Sequence, residues 1–174
     1  AEARKLMSKC QEAVPAWIMT IRTALEQLDP REHRFDVVIV DEASQADLSA
    51  LTMLYLGAKI IIVGDDKQVS PLAVGQNLDE VGKLIEMHLA GRIPGAQDYT
   101  GQTSLYDVGM TICDALMLRE HFRCVPDIIA FSNRLCYDGK IKPLRDAADS
   151  NLLPALVPHR IDGSRDERKK TNHA

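Results

Sequence analysis

The stretch FDVVIVDEASQ, residues 35–45, constrains the fold of this chain more than any other segment. Five of its first six residues are apolar, and four consecutive ones are Val or Ile. A short unbroken apolar run of this kind predicts a strand buried on both faces, as in a parallel sheet covered by helices. The run leads directly into Asp41 and Glu42. Both carboxylates are therefore expected at the carboxyl end of the strand, where open α/β sheets bind their ligands.

Two adjacent acids at the end of a buried strand indicate a site for a metal ion and a phosphate. Mg²⁺ prefers oxygen ligands and keeps several waters, so Asp41 can hold it together with the phosphates of a substrate. Glu42 can then orient and deprotonate an attacking water. The alternative is a strand that ends in solvated acids, and this stretch alone does not decide between the two.

A second apolar run, KIIIV at residues 59–63, predicts a second buried strand. Between the runs, Ser44 and Asp47 have the spacing of a capping box for a crossover helix. Two apolar strands joined by a helix within about 30 residues make a βαβ unit. Three residues form the predicted apolar face of the helix: Leu48, Leu51 and Tyr55.

The segment GDDKQVSP, residues 64–71, ends the second strand. In a parallel sheet its first residues, Gly64 and Asp65, fall on the same edge as the two acids. Gln68 can donate and accept hydrogen bonds, which makes it a candidate sensor of a γ-phosphate. Alone, the segment would be interpreted as a surface turn, but the two stretches together favour a phosphate site.

A third segment, LREHFR at residues 118–123, supplies candidate cations. Arg123 can neutralise the phosphate charge that develops in a transition state, the role of an arginine finger. Arg119 is the competing candidate. As a lone arginine, either one is more often a solvated surface residue.

The other elements are predicted from apolar periodicity and from Pro and Gly. A helix that begins at Pro126 should carry an apolar stripe of Ile128, Phe131 and Leu135 and end near the turn Asp138-Gly139. The tail at 163–174 is polar and is expected to be mobile. Further helices are predicted at 1–14, 20–28, 77–90 and 104–110, and short strands at 16–19 and 114–118.

Composition limits the classes of protein to which the chain can belong. A net charge of −4 gives no global electrostatic case for binding nucleic acid, so any such binding would need a local basic surface. No apolar run approaches the roughly 20 residues of a membrane span. The 4 cysteines show no CxxC spacing, which argues against structural zinc and fits a reducing compartment, so a cytoplasmic location is expected.

The three segments, in this order, resemble superfamily 1 helicases, especially the branch that includes the nonsense-mediated-decay helicases. DEASQ resembles helicase motif II with its Walker B acids, and GDDKQVSP resembles motif III, usually GDxxQLPP. LREHFR, followed by PDIIAFSNRLCYDGKI, resembles motif IV and the helix after it. The similarity covers residues 34–144, and the combination of DEASQ with GDxxQ is specific.

The resemblance implies a RecA-like P-loop NTPase fold, with ATP between two lobes and single-stranded DNA or RNA bound across both. It assigns Asp41 to Mg²⁺, Glu42 to the activation of water, and Arg123 to the phosphates from the second lobe. The ATP-binding set that it implies is Asp41, Gly64, Asp65, Gln68 and Arg123.

One departure from the family pattern is serious. The sequence contains no G-x-x-x-x-G-K-[ST] loop, which cradles phosphates in P-loop NTPases, and the later motifs of the second lobe are also missing. We therefore expect an incomplete α/β fold: residues 1–110 as the end of lobe one and 111–174 as the start of lobe two. Such a fragment should be inactive without the remainder of the helicase. The alternatives are a non-enzymatic partner-binding module and a Mg²⁺-dependent phosphohydrolase.

Overall fold

The computed structural model describes residues 10, 13–70, 77–146, 154–160, 163–166 and 171–173. The chain divides into two compact units, residues 1–115 and 116–174, each treated separately below. The helix predicted at 1–14 lies almost entirely outside the described residues. Within the described part of the chain, every helix is too short or too polar to cross a membrane.

The first unit contains a parallel pair of strands with helices packed on it. Val38 pairs with Ile60 and Val40 with Ile62. This arrangement confirms the α/β class and both apolar runs as strands. The elements are α1 (Ile21–Gln27), β1 (Phe35–Val40), a 3₁₀ helix (Ala43–Gln45), a second 3₁₀ helix (Leu48–Tyr55), β2 (Gly57–Ile62), α2 (Leu78–His88), a third 3₁₀ helix (Ala96–Asp98) and α3 (Leu105–Ile112).

The connection between β1 and β2 differs from the prediction, because its helix is 3₁₀. A 3₁₀ helix has three residues per turn, so Ala50, Met53 and Leu56 align on one face and are buried. The predicted face of Leu48, Leu51 and Tyr55 is therefore wrong at Tyr55, which is largely exposed, whereas Leu51 packs against the core. The predicted capping box is also wrong. Asp47 is itself the N-cap and accepts a hydrogen bond from the backbone N–H of Ser49.

The prediction that both strands are buried on two faces is wrong. Val38 and Ile62 pack against the core, and Val40 belongs to it. On the opposite face, Val37 is 45% exposed and Ile39 is 63% exposed. Within the described residues, the second 3₁₀ helix and α3 pack on these strands, and the core cluster lies on that side only. An apolar face on the pair is thus open to solvent.

The two later helices of this unit confirm their predictions. Asn77 caps α2, which buries none of its side chains. Ser104 begins α3 with a capping box, in which its hydroxyl accepts from the Asp107 N–H and the Asp107 carboxylate accepts from the Ser104 N–H. The helix predicted at 20–28 is present as α1, but residues 16–19 are irregular and the predicted strand there is wrong.

The described residues of the second unit form one helix and four short strands: β3 (Glu120–His121), α4 (Pro126–Cys136), β4 (Lys142–Pro143), β5 (Ser164–Asp166) and β6 (Thr171–His173). The strands β3 and β4 pair in parallel, whereas β5 and β6 pair antiparallel. The strand predicted at 114–118 is wrong, since this segment is irregular and exposed. The tail at 163–174 is predicted to be mobile, and its described residues form the β5–β6 pair.

The helix α4 is fixed to the following turn by Asn133. Its side-chain amide donates to the Ile141 carbonyl at 2.8 Å and accepts from the Ile141 N–H at 2.9 Å. The predicted turn at Asp138-Gly139 is confirmed, and both residues adopt positive φ. The predicted apolar stripe of α4 is present on the helix, but its three residues are exposed: Ile128, Phe131 and Leu135.

Candidate active site

The two acids directly follow the last residue of β1, as predicted, and both are exposed. One oxygen of Asp41 accepts a hydrogen bond from the Glu42 N–H at 2.9 Å. The carboxylate of Glu42 accepts from the side-chain amide of Gln45 at 3.2 Å. Glu42 has φ 52° and ψ 36°, the left-handed region, which costs a non-glycine residue about 1 kcal/mol or more.

Backbone hydrogen bonds join the acidic loop to the end of β2. The N–H of Val63 donates to the Val40 carbonyl at 2.9 Å, and the N–H of Ala43 donates to the Val63 carbonyl at 2.8 Å. Ala43 is 0% exposed and belongs to the core, whereas Val63 is partly exposed. The parallel ladder therefore continues past β1 and brings the loop of Asp41 and Glu42 alongside the start of GDDKQVSP.

Ser44 makes the next connection between the same two loops. Its hydroxyl accepts a hydrogen bond from the Asp65 N–H at 3.3 Å, and the residue is 3% exposed. The sequence interpretation treated Ser44 as a helix cap and missed this contact. The only sequence signal was a small polar residue that lies between the acids and an apolar stretch.

Gly64 is required by close packing at the point where β2 ends. A Cβ at this position would lie 2.5 Å from Cδ2 of Tyr106 and 3.1 Å from the backbone nitrogen of Ser44. Tyr106 belongs to α3, and the N–H of Leu105 in the same helix donates to the Ala46 carbonyl at 2.9 Å. The helix α3 thus packs against both loops.

The turn after Gly64 is organised by Asp65. Its carboxylate accepts from the Lys67 N–H at 3.0 Å and from the side-chain amide of Gln68 at 3.2 Å. The Asp65 carbonyl accepts from the Gln68 N–H at 3.2 Å. The structure therefore brings Asp65 and Gln68 into contact and connects both, through Ser44, to the acidic loop.

Arg123, in the second unit, is exposed and lies in a loop held by several hydrogen bonds. The guanidinium of Arg145 donates to the Arg123 carbonyl at 2.9 Å. The imidazole of His121 accepts from the Cys124 N–H at 3.0 Å. Arg119, the competing candidate, is also exposed, and its carbonyl accepts from the Lys142 N–H at 2.7 Å. Neither arginine has a side-chain position that favours it over the other.

The donor set at the edge of β1 suits a metal that takes few protein ligands. In the described part of the chain, no group of three or more His, Cys, Asp or Glu side chains could hold a metal ion. Asp41 offers one exposed carboxylate, and one or two carboxylates with substrate phosphates are the usual protein ligands of Mg²⁺. The residues fit a Mg²⁺–phosphate pair and not a metal cage made of protein alone.

Comparison with known proteins relates this chain to helicases. Residues 18–75 match a family described as an AAA domain. The chain is 32% identical to an uncharacterized ATP-dependent helicase of Mycoplasma pneumoniae, over 92% of this chain and 14% of that protein. An uncharacterized ATP-dependent helicase of Methanocaldococcus jannaschii is 27% identical over 74% of this chain and 17% of that protein. The DNA replication ATP-dependent helicase/nuclease of Saccharomyces cerevisiae is 28% identical over 78% of this chain and 8% of that protein.

These similarities confirm the predicted relationship to ATP-dependent helicases. The chain spans less than a fifth of the length of each of these three relatives. The matched region includes β1, the acidic loop and β2, so the junction described above lies in the part of the chain that carries the relationship.

Proposed function

We propose that this chain is part of an ATP-dependent helicase that couples ATP hydrolysis to movement along single-stranded DNA or RNA. The observation that carries the proposal is the hydrogen-bonded junction of two loops at the carboxyl edge of β1 and β2. It brings the loop of Asp41 and Glu42 beside the turn of Asp65 and Gln68. The similarity to ATP-dependent helicases supports the same function.

In this proposal, each residue at the junction has a separate role in ATP hydrolysis. Asp41 holds Mg²⁺, which neutralises phosphate charge when it is bound with ATP. Glu42 orients a water molecule and accepts its proton at the carboxylate. Gln68 contacts the γ-phosphate through its side-chain amide, and Gly64 and Asp65 shape the turn that presents it.

The proposal also assigns the two parts of the chain to different lobes. Residues 1–110 are the end of the first RecA-like lobe and residues 111–174 are the start of the second, from which Arg123 reaches the phosphates. The chain does divide into two compact units, but the division lies between residues 115 and 116, beyond the end of α3. The remainder of the helicase supplies the phosphate cradle.

The 4 free cysteines support a reducing, cytoplasmic setting.

The role of Glu42 is tested by Glu42→Gln in the full-length protein, with Glu86→Gln as the matched control. Both residues are exposed, but Glu86 lies on α2, away from the junction in sequence. Glu42→Gln should lower kcat for ATP hydrolysis by about 100-fold or more, because general base catalysis contributes roughly that much. Binding of a fluorescent ATP analogue should persist. Unchanged turnover in Glu42→Gln would contradict the assignment.

A second measurement separates the helicase from the phosphohydrolase alternative. The fluorescent ATP analogue is titrated into residues 1–174 alone and into the full-length protein, each with and without Mg²⁺. The helicase proposal expects binding only by the full-length protein. Binding by residues 1–174 alone that depends on Mg²⁺ would favour a phosphohydrolase whose acids act without a phosphate-binding loop.

A further inference from the structure

We propose that Ser44 is a positioning residue, which sets the placement of the Gln68 turn relative to the two acids. The inference rests on the proposed function and adds to it a residue that none of the roles above includes. Ser44 does not touch the nucleotide in this account. It acts through the Asp65 backbone, to which its hydroxyl is hydrogen-bonded.

The burial and the surroundings of Ser44 restrict its hydroxyl to this contact region. The residue is almost completely buried, and the neighbouring Ala43 is held by a hydrogen bond to the Val63 carbonyl. Its backbone nitrogen lies so close to Gly64 that a Cβ there would be at 3.1 Å. The backbone that carries the Ser44 side chain is therefore closely packed, and from this position the hydroxyl can hold the Asp65 N–H in one place.

The contact continues from Asp65 to the functional side chain. The carboxylate of Asp65 accepts from the side-chain amide of Gln68, and its carbonyl accepts from the Gln68 N–H. Hydrogen bonds therefore form an unbroken path from Ser44 through Asp65 to Gln68. Loss of the Ser44 hydroxyl removes the side-chain acceptor for the Asp65 N–H, so the turn is less well ordered when Gln68 must meet the γ-phosphate.

The first test measures the hydrogen bond itself, by hydrogen–deuterium exchange of the full-length protein. In Ser44→Ala, the segment containing the Asp65 amide should exchange about fivefold faster, the change expected for one net hydrogen bond. The segment containing Ala43 should keep its protection. Ser49→Ala is the matched control, because Ser49 is an exposed serine that contacts Asp47 and not the junction. Equal exchange in Ser44→Ala and wild type would overturn the inference.

The second test asks whether the contact acts through Gln68. Ser44→Ala should lower kcat for ATP hydrolysis by about fivefold, the factor expected for the loss of one net hydrogen bond, with little change in KM. In a Gln68→Ala background the same change should have no further effect on kcat, since residues that act together are non-additive. Full additivity of the two changes would show that Ser44 acts only on general stability and would overturn the role.

The outcomes distinguish this inference from the proposed function. Suppose that the wild-type protein hydrolyses ATP and that kcat is lowered in Gln68→Ala but unchanged in Ser44→Ala. In that case only the role of Ser44 is wrong. If the wild-type protein does not hydrolyse ATP, the proposed function is wrong and the kinetic role of Ser44 is wrong with it.

Discussion

Replacement of Gly64 by alanine should separate the two loops of the junction, because the site has no room for a methyl group. The added Cβ would lie 2.5 Å from one ring carbon of Tyr106 and 2.9 Å from another. It would also lie 3.1 Å from the backbone nitrogen of Ser44, so a move away from the ring is opposed. Carbon atoms pack at about 3.5–4.0 Å. The ring or the loop must therefore shift by about 1 Å.

Overpacking of a core by one methyl group costs about 1–3 kcal/mol of stability. Because both the Tyr106 ring and the Ser44 backbone nitrogen lie close to the added methyl group, Gly64→Ala should cost near the upper end of this range. The free energy of unfolding is measured by urea denaturation followed by circular dichroism. The midpoint should fall, while the slope m stays constant. The matched control is Gly82→Ala, since Gly82 lies within α2 and a Cβ there meets no atom within 4 Å. That variant should be stabilised by about 0.5–1 kcal/mol, the helical preference of alanine over glycine.

A double variant tests the cause. If the ring of Tyr106 is the obstacle, Gly64→Ala and Tyr106→Ala should together cost less than the sum of their separate costs. The reasoning would be refuted by additive costs, or by a Gly64→Ala variant as stable as Gly82→Ala.

Two further predictions concern contacts that hold single elements in place. Ser104→Ala removes the capping box of α3 and should lower the free energy of unfolding by about 1 kcal/mol. Its control, Ser49→Ala at an exposed site, should lower the free energy of unfolding by less. Equal effects of the two substitutions would contradict the stabilising role of the cap. Asn133→Ala leaves the backbone groups of Ile141 without their side-chain partner and should cost about 1–3 kcal/mol. The control is Arg134→Ala, which changes an exposed residue of α4. Urea unfolding measures the stability of all four variants. An Asn133→Ala variant no less stable than Arg134→Ala would show that the hydrogen bonds of Asn133 to Ile141 do not stabilise the unit.

The strands and the location of the acids could be predicted because their signals are local. An apolar run that ends in Asp41-Glu42 and another that ends in Gly64-Asp65 place both turns at one edge once the strands are parallel, and the register confirms this. The helices α2 and α3 were also predictable, because apolar periodicity and the flanking Gly residues are local signals, and the structure adds that Asn77 and Ser104 cap them.

Several of the errors have a different origin, since they concern contacts between segments distant in sequence. Whether Val37 and Ile39 are buried depends on what packs against the second face of the sheet, and the strand sequence does not encode this. The helix at 48–55 is 3₁₀ and buries Ala50 and Met53, a spacing that differs from the α-helical period used for the prediction. The contact of Ser44 with Asp65 spans 21 residues, so no local pattern reveals it.

The left-handed backbone of Glu42 has a consequence for how this position can change over evolutionary time. Glycine and asparagine tolerate this conformation better than glutamate does, so substitutions to them relieve strain. Neither residue can accept a proton from water. If Glu42 has the proposed role, selection for stability and selection for hydrolysis favour different residues at position 42. A lineage that no longer needs turnover should lose this glutamate early, without losing the fold.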